Sequence, residues 1–322
     1  MIQTGKDVLT MIRIGVVNID VSHPKTFSEA YKTIGRARYA AVYNEGFRGP
    51  EEVEGFRKMA GLDKVCASLE ELVDACNVGF VQGCDWDKHL AHAMAFINAG
   101  KPVFIDKPLA GNLADCEKLL ALERAGAVIL GSSSVRYCDE IRNFLDTPRE
   151  ARGDLLHVSM TVGVDEFNYA IHAAEGLCAL AASTPGTVRW LGNTRKDGQD
   201  CDSYFITFES GATASCHCVA PQFLLFHTTI LASRGSCCFT IDNSKLYYPM
   251  LTEICNKLEG KENRLVPVSE LIWPIRVLLA GKLSRQRGGE EISVLDPALE
   301  YVSFDGGKFA QGYAAAAKPM YL

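Results

Sequence analysis

A lysine at the end of a buried strand is the first side chain in this sequence that is well placed for chemistry. The segment "PVFIDKP" reads as an apolar strand followed by Asp106, Lys107 and Pro108. A residue before proline favours an extended backbone, and open α/β sheets bind ligands beyond the carboxyl ends of their strands. There the Lys107 ammonium can donate to a substrate hydroxyl, or stabilise the alkoxide that develops as hydride leaves carbon. An isolated Asp-Lys-Pro would be a solvated turn, and the strand context favours the functional interpretation.

A polar stripe on a helix supplies a second candidate group. In "NYAIHAAEGLCALAA", Asn168, His172 and Glu175 lie at i, i+4 and i+7, so they share one helix face. A histidine that titrates near neutrality is a suitable base for taking a proton from an alcohol as hydride departs. The same spacing also describes an ordinary solvated face, or a histidine satisfied by a neighbouring carboxylate. The helix pattern alone leaves these interpretations equal.

The elements that must position these groups change character along the chain. Up to about residue 130, short Val- and Ile-rich strands alternate with helical patterns, for example "MIRIGVVNI", "PKTFSEAYKTI" and "RYAAVYN". This alternation predicts a doubly wound parallel sheet covered on both faces. From about residue 152, segments such as "LLHVSMTVGV", "DSYFITFES" and "ATASCHCVA" indicate strands separated by polar turns. The second half is therefore predicted to be an α+β domain with a large, mostly antiparallel sheet, interrupted by the helix that carries His172.

The order of these elements resembles the Gfo/Idh/MocA family of NAD(P)-dependent oxidoreductases, whose members act largely on sugars and cyclitols. "GKPVFIDKPLAGNLADCEKL" is similar to the family segment with a Glu-Lys-Pro motif, and the preceding "HLAHAMAFINAGK" also fits. "GSSSVRY" resembles the family ending G-x-x-x-R-[FY], and "NYAIHAAEGL" resembles the helix with its D-x-x-x-H pair. The resemblance implies a Rossmann-type dinucleotide-binding domain over residues 1–140. It implies an α+β domain for substrate binding and oligomerisation over residues 141–322.

The resemblance also implies roles for the candidate groups. His172 would be the proton acceptor or donor, Lys107 the electrostatic stabiliser, and Asn168 and Glu175 the residues that orient them. One departure concerns Asn168, which stands where the family has an aspartate and cannot carry charge. Glu175 can partly replace that charge.

The phosphate-binding loop departs further from the family. The glycines of G-x-G-x-x-G align with Asn18, Asp20 and His23, so three polar residues replace them. Asn and Asp tolerate a left-handed turn, so the bend itself can survive. Asp20, however, places a carboxylate where a pyrophosphate should lie. His23 can neutralise it if protonated, Ser22 can cap the helix or bind phosphate, or Asp20 is itself the cap and points away.

Further cofactor contacts are expected around the strand ends. They are predicted at Asn18, Ile19, Asp20, Ser22, His23, Asn44, Glu45, Trp86, His89, Asp106 and Lys107. Asn44 and Glu45 follow the second strand, where relatives often hold the adenosine ribose. Because no arginine follows directly, NAD is favoured slightly over NADP. Trp86 can stack on a ring or plug the rim of the crevice.

The composition limits the classes of partner that the protein is expected to bind. A net charge of −6 and a pI near 5.7 argue against nucleic acid or an anionic membrane, so a small-molecule substrate is expected. The sequence shows neither a secretory signal nor a long apolar run, which predicts a cytoplasmic protein with reduced cysteines. Cys216 and Cys218 alternate with His217 along a strand, so they cannot readily share one metal, and no metal site is predicted. Apolar positions on the second sheet favour a homodimer or homotetramer.

Three functions therefore stay open at this point. The leading one is an NAD(P)-linked dehydrogenase or reductase acting on a polyhydroxylated substrate. A ligand-binding or scaffold protein that has lost dinucleotide binding is favoured by Asp20 and opposed by the presence of both Lys107 and His172. A lyase or epimerase acting on a sugar would use the same two side chains without net redox change.

Overall fold

A six-stranded parallel sheet, sheet A, organises the first half of the chain. The computed structural model describes residues 11–322. The strands are β1 Ile12–Val17, β2 Ala37–Tyr43, β3 Lys64–Val65, β4 Val78–Val81, β5 Val103–Asp106 and β6 Ile129–Ser132. Their spatial order is β3-β2-β1-β4-β5-β6, and every neighbouring pair is parallel. The order reverses between β1 and β4, which is where doubly wound sheets open a ligand crevice. The predicted fold class is confirmed.

The helices that cover sheet A follow the sequence signals closely. They are α1 His23–Ile34, α2 Pro50–Ala60, α3 Leu69–Ala75, α4 His89–Asn98 and α5 Leu113–Arg124. A proline lies at the start of both α1 and α2, where its missing N–H costs nothing. Gly35 and Gly61 end these helices with φ of 71° and 69°, in the left-handed region that glycine tolerates best.

A seven-stranded mixed sheet, sheet B, organises the second half. Its strands are β7 Leu155–Gly163, β8 Pro185–Lys196, β9 Gln199–Phe208, β10 Thr213–Ala220, β11 His227–Ala232, β12 Gly235–Thr240 and β13 Ile292–Ser293. Their order is β12-β11-β7-β10-β9-β8-β13, with only the central β7–β10 pair parallel. Cys216 and Cys218 are buried on one face of β10, whereas His217 bonds Ser203 on the other. This matches the predicted alternation.

The helices of the second half were only partly predicted. They are α6 Asp139–Asp146, α7 Arg149–Arg152, α8 Ala170–Ala181, α9 Tyr247–Leu258, α10 Val268–Gln286 and α11 Gly306–Ala316. Among them the sequence analysis predicted α8, which packs with α10 on the apolar face of sheet B. The α9 helix returns to the first half and packs on α1. None of the helices within residues 11–322 is long and apolar enough to cross a membrane.

One hydrophobic core continues from sheet A into sheet B. Val17 and Ile105 of sheet A belong to the same buried cluster as Met160 of sheet B and Leu177 of α8. A second buried cluster, rich in aromatic side chains, fills the space between sheet A and the α1, α2 and α9 helices. The carboxyl ends of β1, β4 and β5 therefore face α8 across a continuous packed interior.

The central strand of sheet A leaves no room for a larger residue at Gly79. A Cβ added there would lie 2.6 Å from ring atoms of the fully buried Phe96. Because overpacking a rigid core costs roughly 1–3 kcal/mol, we expect Gly79→Ala to lower the free energy of unfolding by about that amount. Urea denaturation followed by circular dichroism measures the change. Gly235→Ala, where the added Cβ meets open space, is the matched control and should unfold like the parent.

Candidate active site

Lys107 extends from the end of β5 toward α8. Its Nζ donates to the backbone oxygen of Asn168 at 3.1 Å and to Oδ1 of the same residue at 2.8 Å. It also lies 5.6 Å from the centre of the Tyr169 ring. Burial lowers the pKa of this lysine, and the negative charges of Asp106 and Asp165 partly oppose that effect. The strand end and the start of α8 thus meet through one cation.

His172 lies one turn further along α8 and is 5% exposed. Its Nδ1 is 2.6 Å from the Oγ of Ser133, which follows β6. Tyr169 and Phe226 flank the ring, and its Nε2 has no hydrogen-bond partner among the described residues. Burial, followed by the Lys107 charge, lowers the pKa of His172 well below its usual range. The imidazole is therefore neutral at physiological pH, and one of its two ring nitrogens can accept a proton.

The two residues expected to orient His172 have other partners. Asn168 accepts from Lys107, as described above. The Glu175 carboxylate instead pairs with Arg136, whose Nε lies 2.6 Å from Oε2, and both side chains are buried. This differs from the sequence-based expectation, because the stripe on α8 faces several elements rather than one site. The contact with His172 comes from Ser133, which the sequence analysis did not single out.

A buried ion pair connects β5 to the start of α1. Asp106 Oδ2 lies 2.7 Å from Nδ1 of His23, and its Oδ1 accepts the backbone N–H of Lys107 at 2.8 Å. Gln82 approaches the same carboxylate at 3.4 Å and accepts from the hydroxyl of Tyr39. Burial raises the pKa of Asp106, but the charge and hydrogen bond of His23 outweigh this, so the net pKa is lowered. His23 is thus the partner of Asp106 rather than of Asp20.

The first turn of the phosphate loop keeps the backbone shape that a glycine would give. Asn18 has φ of 66°, in the left-handed region, as its sequence position predicted. Its Oδ1 accepts the backbone N–H groups of Glu45 and Gly46, which joins the loop after β1 to the loop after β2. Side-chain hydrogen bonds here fix a bend that the family makes with glycine.

Asp20 points into the crevice between the loops after β2 and β4. Its Oδ2 accepts the backbone N–H of Cys84, its Oδ1 is buried without a partner, and Gly46 packs directly against the carboxylate. Burial raises the pKa of Asp20, opposed in part by the hydrogen bonds from Cys84. The side chain does not cap α1, in contrast to one of the predicted alternatives. Arg48 binds the backbone oxygen of Asp20 rather than its carboxylate.

The other predicted residues near β1 and β2 divide into two groups. Asn44 turns inward, where it accepts from the N–H of Ile19 and donates to the backbone oxygen of Arg48. Glu45 stays at the rim, where it is exposed and lies near Lys88 and His92. Hydrogen bonding from Lys88 is the main reason that the pKa of Glu45 is lowered. Ser22 is exposed and its side chain does not cap α1. The α1 N-terminus therefore has neither a side-chain cap nor an acidic residue in its first turn.

His89 and Trp86 are both buried near the end of β4. The ring nitrogens of His89 lie 3.0 Å from the oxygen of Pro108 and 2.9 Å from that of Gly83, so this residue ties the two loops together. Trp86 donates from Nε1 to the oxygen of Phe304, and its ring packs against other aromatic side chains. These contacts favour the prediction that Trp86 fills the edge of the crevice over the prediction that it stacks on a cofactor ring.

The C-terminal segment, residues 304–322, crosses the carboxyl edge of sheet A, and we call it the C-terminal strap. Within α11, Phe309 packs on Trp86 at 4.9 Å and Tyr313 packs on Phe47 at 6.1 Å. Trp86 follows β4 and Phe47 follows β2, so α11 passes over the end of β1 between them. A small pocket of about 10 Å³ lies at the same edge of the sheet, bounded by His23, Lys107 and Asn168 among others.

Comparison with known proteins agrees with this architecture. Residues 12–133 match the model of the oxidoreductase family with an NAD-binding Rossmann fold. This part of the chain is therefore similar to the dinucleotide-binding domain of the Gfo/Idh/MocA oxidoreductases. An inositol 2-dehydrogenase of Gluconacetobacter diazotrophicus is 39% identical over 62 residues, a stretch that spans 19% of this chain and 18% of that relative.

Two solved structures extend the similarity of fold to most of the chain. A putative myo-inositol dehydrogenase from Sinorhizobium meliloti 1021 superposes with a TM-score of 0.77 at 14% identity, over 88% of this chain and 100% of that chain. A scyllo-inositol dehydrogenase from Lactobacillus casei, solved with bound NAD(H) and scyllo-inositol, gives a TM-score of 0.73 at 15% identity, over 88% and 99%. At such identities the likeness shows the fold.

The residues around the loop fit a dinucleotide in part. The left-handed Asn18 and the uncapped α1 N-terminus leave backbone N–H groups for a pyrophosphate, and Glu45 is a carboxylate placed for a ribose. Two features oppose binding, the Asp20 carboxylate and the C-terminal strap. The pocket, at about 10 Å³, has room for about one water molecule. The loop therefore offers backbone donors for a pyrophosphate, but this conformation does not leave the space that a dinucleotide needs.

Asp20 should oppose a bound pyrophosphate electrostatically. We expect Asp20→Asn, which keeps an oxygen for the Cys84 N–H, to lower the dissociation constant for NADH about tenfold at neutral pH by removing one charge. Since folding raises the pKa of Asp20, its burial destabilises the protein above the folded pKa, and this cost disappears as the pH falls below it. The variant should therefore also be more stable at neutral pH.

Isothermal calorimetry and thermal unfolding measure the two effects. In the parent, NADH affinity should rise as the pH falls toward the raised pKa, and in the variant it should change less. Asp74→Asn, an exposed position on α3, is the matched control. An unchanged or weaker NADH affinity in Asp20→Asn would show that this carboxylate does not face the dinucleotide.

Proposed function

We propose that this chain is an NAD(H)-dependent dehydrogenase or reductase that acts on a secondary hydroxyl of a cyclitol, a sugar or a related polyhydroxylated small molecule. The observation that carries the proposal is the contact between Lys107 Nζ and Asn168, one helical turn before a neutral, buried His172. A cation and a base then converge at the carboxyl edge of a dinucleotide-binding sheet. The family match and the inositol dehydrogenases among the relatives support the substrate class.

His172, Lys107 and Asn168 have different roles in the proposed oxidation. Nε2 of His172 takes the hydroxyl proton, and because the imidazole starts neutral it can do so without first losing a proton to solvent. The Lys107 ammonium donates to the same oxygen and stabilises the negative charge that develops on it. Asn168 holds that ammonium in place through two acceptors. The nicotinamide, when bound, accepts the hydride from the substrate carbon, and the product is a ketone.

Several residues would hold the dinucleotide. Backbone N–H groups at the start of α1 would bind the pyrophosphate, and the anionic Glu45 would accept the adenosine ribose hydroxyls. We favour NAD over NADP because an anionic Glu45 would repel a 2′-phosphate. Asp106, through His23, positions the loop rather than contacting the cofactor.

The test begins with calorimetric titration of the purified protein with NAD, NADH, NADP and NADPH, followed by a screen of cyclitols and sugars at 340 nm. We expect NADH to bind and a polyhydroxylated substrate to be oxidised. Lys107→Met should then lower kcat by about 100- to 1,000-fold, because one stabilising donor to the developing alkoxide is lost, while NADH binding persists. Lys118→Met, at an exposed site on α5, should retain full activity.

Three outcomes would contradict this function. Unchanged turnover in Lys107→Met would remove the proposed mechanism. Conversion of a sugar without net change in nicotinamide absorbance would indicate lyase or epimerase chemistry. Failure to bind any nicotinamide dinucleotide up to millimolar concentration would indicate a ligand-binding or scaffold protein.

A further inference from the structure

The Nδ1 atom of His172 has a single described hydrogen-bond partner, and that partner is a serine. Ser133 Oγ lies 2.6 Å from Nδ1, and the same oxygen accepts the backbone N–H of Val135 at 3.1 Å. The Val135 N–H holds the serine side chain in place and occupies one of its two lone pairs. The second lone pair can accept the Nδ1–H of the imidazole. Asn168, in the turn before α8, and Glu175, on α8, are the predicted alternatives, and they are engaged by Lys107 and Arg136.

We propose that Ser133 is a positioning residue that holds His172 in the tautomer with the proton on Nδ1. That tautomer leaves a lone pair on Nε2, which is the form needed to take a proton from the substrate. The consequence for catalysis rests on the proposed function, whereas the tautomer itself does not. Ser133 is fully buried, so its hydroxyl cannot reach a substrate, and its effect on the reaction passes through the imidazole. A serine here does what a carboxylate partner would do, without a charge that stabilises imidazolium.

The tautomer can be read directly by long-range ¹H–¹⁵N NMR of the histidine rings in the full-length protein. The His172 signals are assigned by their loss in His172→Gln. We expect a protonated Nδ1 and an unprotonated Nε2 in the parent, and a mixture of tautomers in Ser133→Ala. Ser134→Ala, at the adjacent buried position, is the matched control. A parent with the proton on Nε2, or an unchanged tautomer in Ser133→Ala, would overturn the proposal.

Kinetics give a second readout if the dehydrogenase activity is found. Ser133→Ala should lower kcat for alcohol oxidation about 10- to 100-fold with little change in KM or in NADH affinity. The acid limb of its pH profile should also move to lower pH, because imidazolium loses an acceptor. Ser133→Thr, which keeps the hydroxyl, should recover part of kcat. A fall in kcat without a shift of the acid limb would indicate a merely structural role.

The C-terminal strap is hydrogen-bonded at both ends, and between them it packs mainly through Phe309 and Tyr313. At its start, the N–H of Phe304 donates to Gly111, and the N–H of Gly306 donates to Asp87. In α11 only Gly306 is buried, and the rest of the helix is half-buried or exposed. The middle of the strap therefore covers the crevice without being part of the core.

The far end of the strap docks on the phosphate loop and α2. The Tyr321 hydroxyl donates to the backbone oxygen of Val21 at 2.9 Å, and its ring packs on Phe56. The N–H of Met320 donates to Glu52, and the backbone oxygen of Lys318 accepts from Arg48. These contacts hold the chain's own backbone beside the loop where a pyrophosphate would lie.

We propose that the C-terminal strap is a displaceable cover of the dinucleotide crevice, and that NADH binds the form in which the strap has moved away. This inference rests on the proposed cofactor. Closing the crevice in the absence of dinucleotide buries the polar loop, and binding then requires that the strap contacts be broken. The observed affinity is the intrinsic affinity reduced by the fraction of molecules in which the strap is open.

Gly55 on α2 offers a way to displace the strap. A Cβ added there would lie 1.8 Å from the backbone oxygen of Tyr321, while alanine is a better helix former than glycine. Gly55→Ala should therefore release the strap end and leave α2 intact. Gly49→Ala, at the start of the same helix and facing open space, is the matched control.

Hydrogen exchange followed by mass spectrometry, combined with NADH titration, tests whether the C-terminal strap covers the dinucleotide crevice. In the ligand-free Gly55→Ala variant, amides of residues 306–321 should exchange faster, and NADH should bind about 3- to 10-fold more tightly than to the parent. In the parent, NADH should accelerate exchange in residues 306–321. Slower exchange there on NADH binding would mean that the strap closes over the cofactor. If exchange becomes faster in Gly55→Ala but NADH binds no more tightly than to the parent, or does not bind at all, the strap does not limit access to the crevice.

Discussion

The buried pair of Asp106 and His23 is the interaction on which the architecture of the site depends. It spans 83 residues of sequence and joins the end of β5 to the first turn of α1. In the family's loop a glycine lets the helix approach the sheet closely, whereas here an imidazole fills the gap and is held by a carboxylate. Removing one partner would leave the other buried and uncompensated, which is far more costly than the pair itself. The same carboxylate accepts the N–H of Lys107, so the loop and the lysine are fixed by one group.

Most of the other polar side chains of the site have a hydrogen-bond partner of their own. Lys107 donates to Asn168, Arg136 donates to Glu175, and Nδ1 of His172 lies within hydrogen-bond distance of Ser133. A buried polar group without such a partner costs roughly 1–3 kcal/mol, so pairing of this kind holds each side chain in one geometry. Among the described residues, Asp20 Oδ1 and Arg136 Nη2 are buried without such a partner.

Much of the fold was predictable because it depends on local patterns. Apolar strands, helix-starting prolines and helix-ending glycines marked most elements around sheet A, and the left-handed turn at Asn18 followed from the residue type. The partners of His23, Glu175 and Trp86 were not predictable, because a helical or strand period shows which face a residue occupies and not what lies opposite. The course of the C-terminal strap was not predictable either, since nothing in its own sequence specifies the groove that receives it.

Arg48 connects the last residues of the chain to the loops that follow β1 and β2. Its guanidinium lies between the rings of Phe47 and Tyr321 and binds the backbone oxygens of Asp20 and Lys318, along with Glu52. These contacts link the loops after β1 and β2 to the end of the chain, since Arg48 and Lys318 are 270 residues apart in the sequence. Substitutions near position 320 should therefore also alter the geometry of those loops.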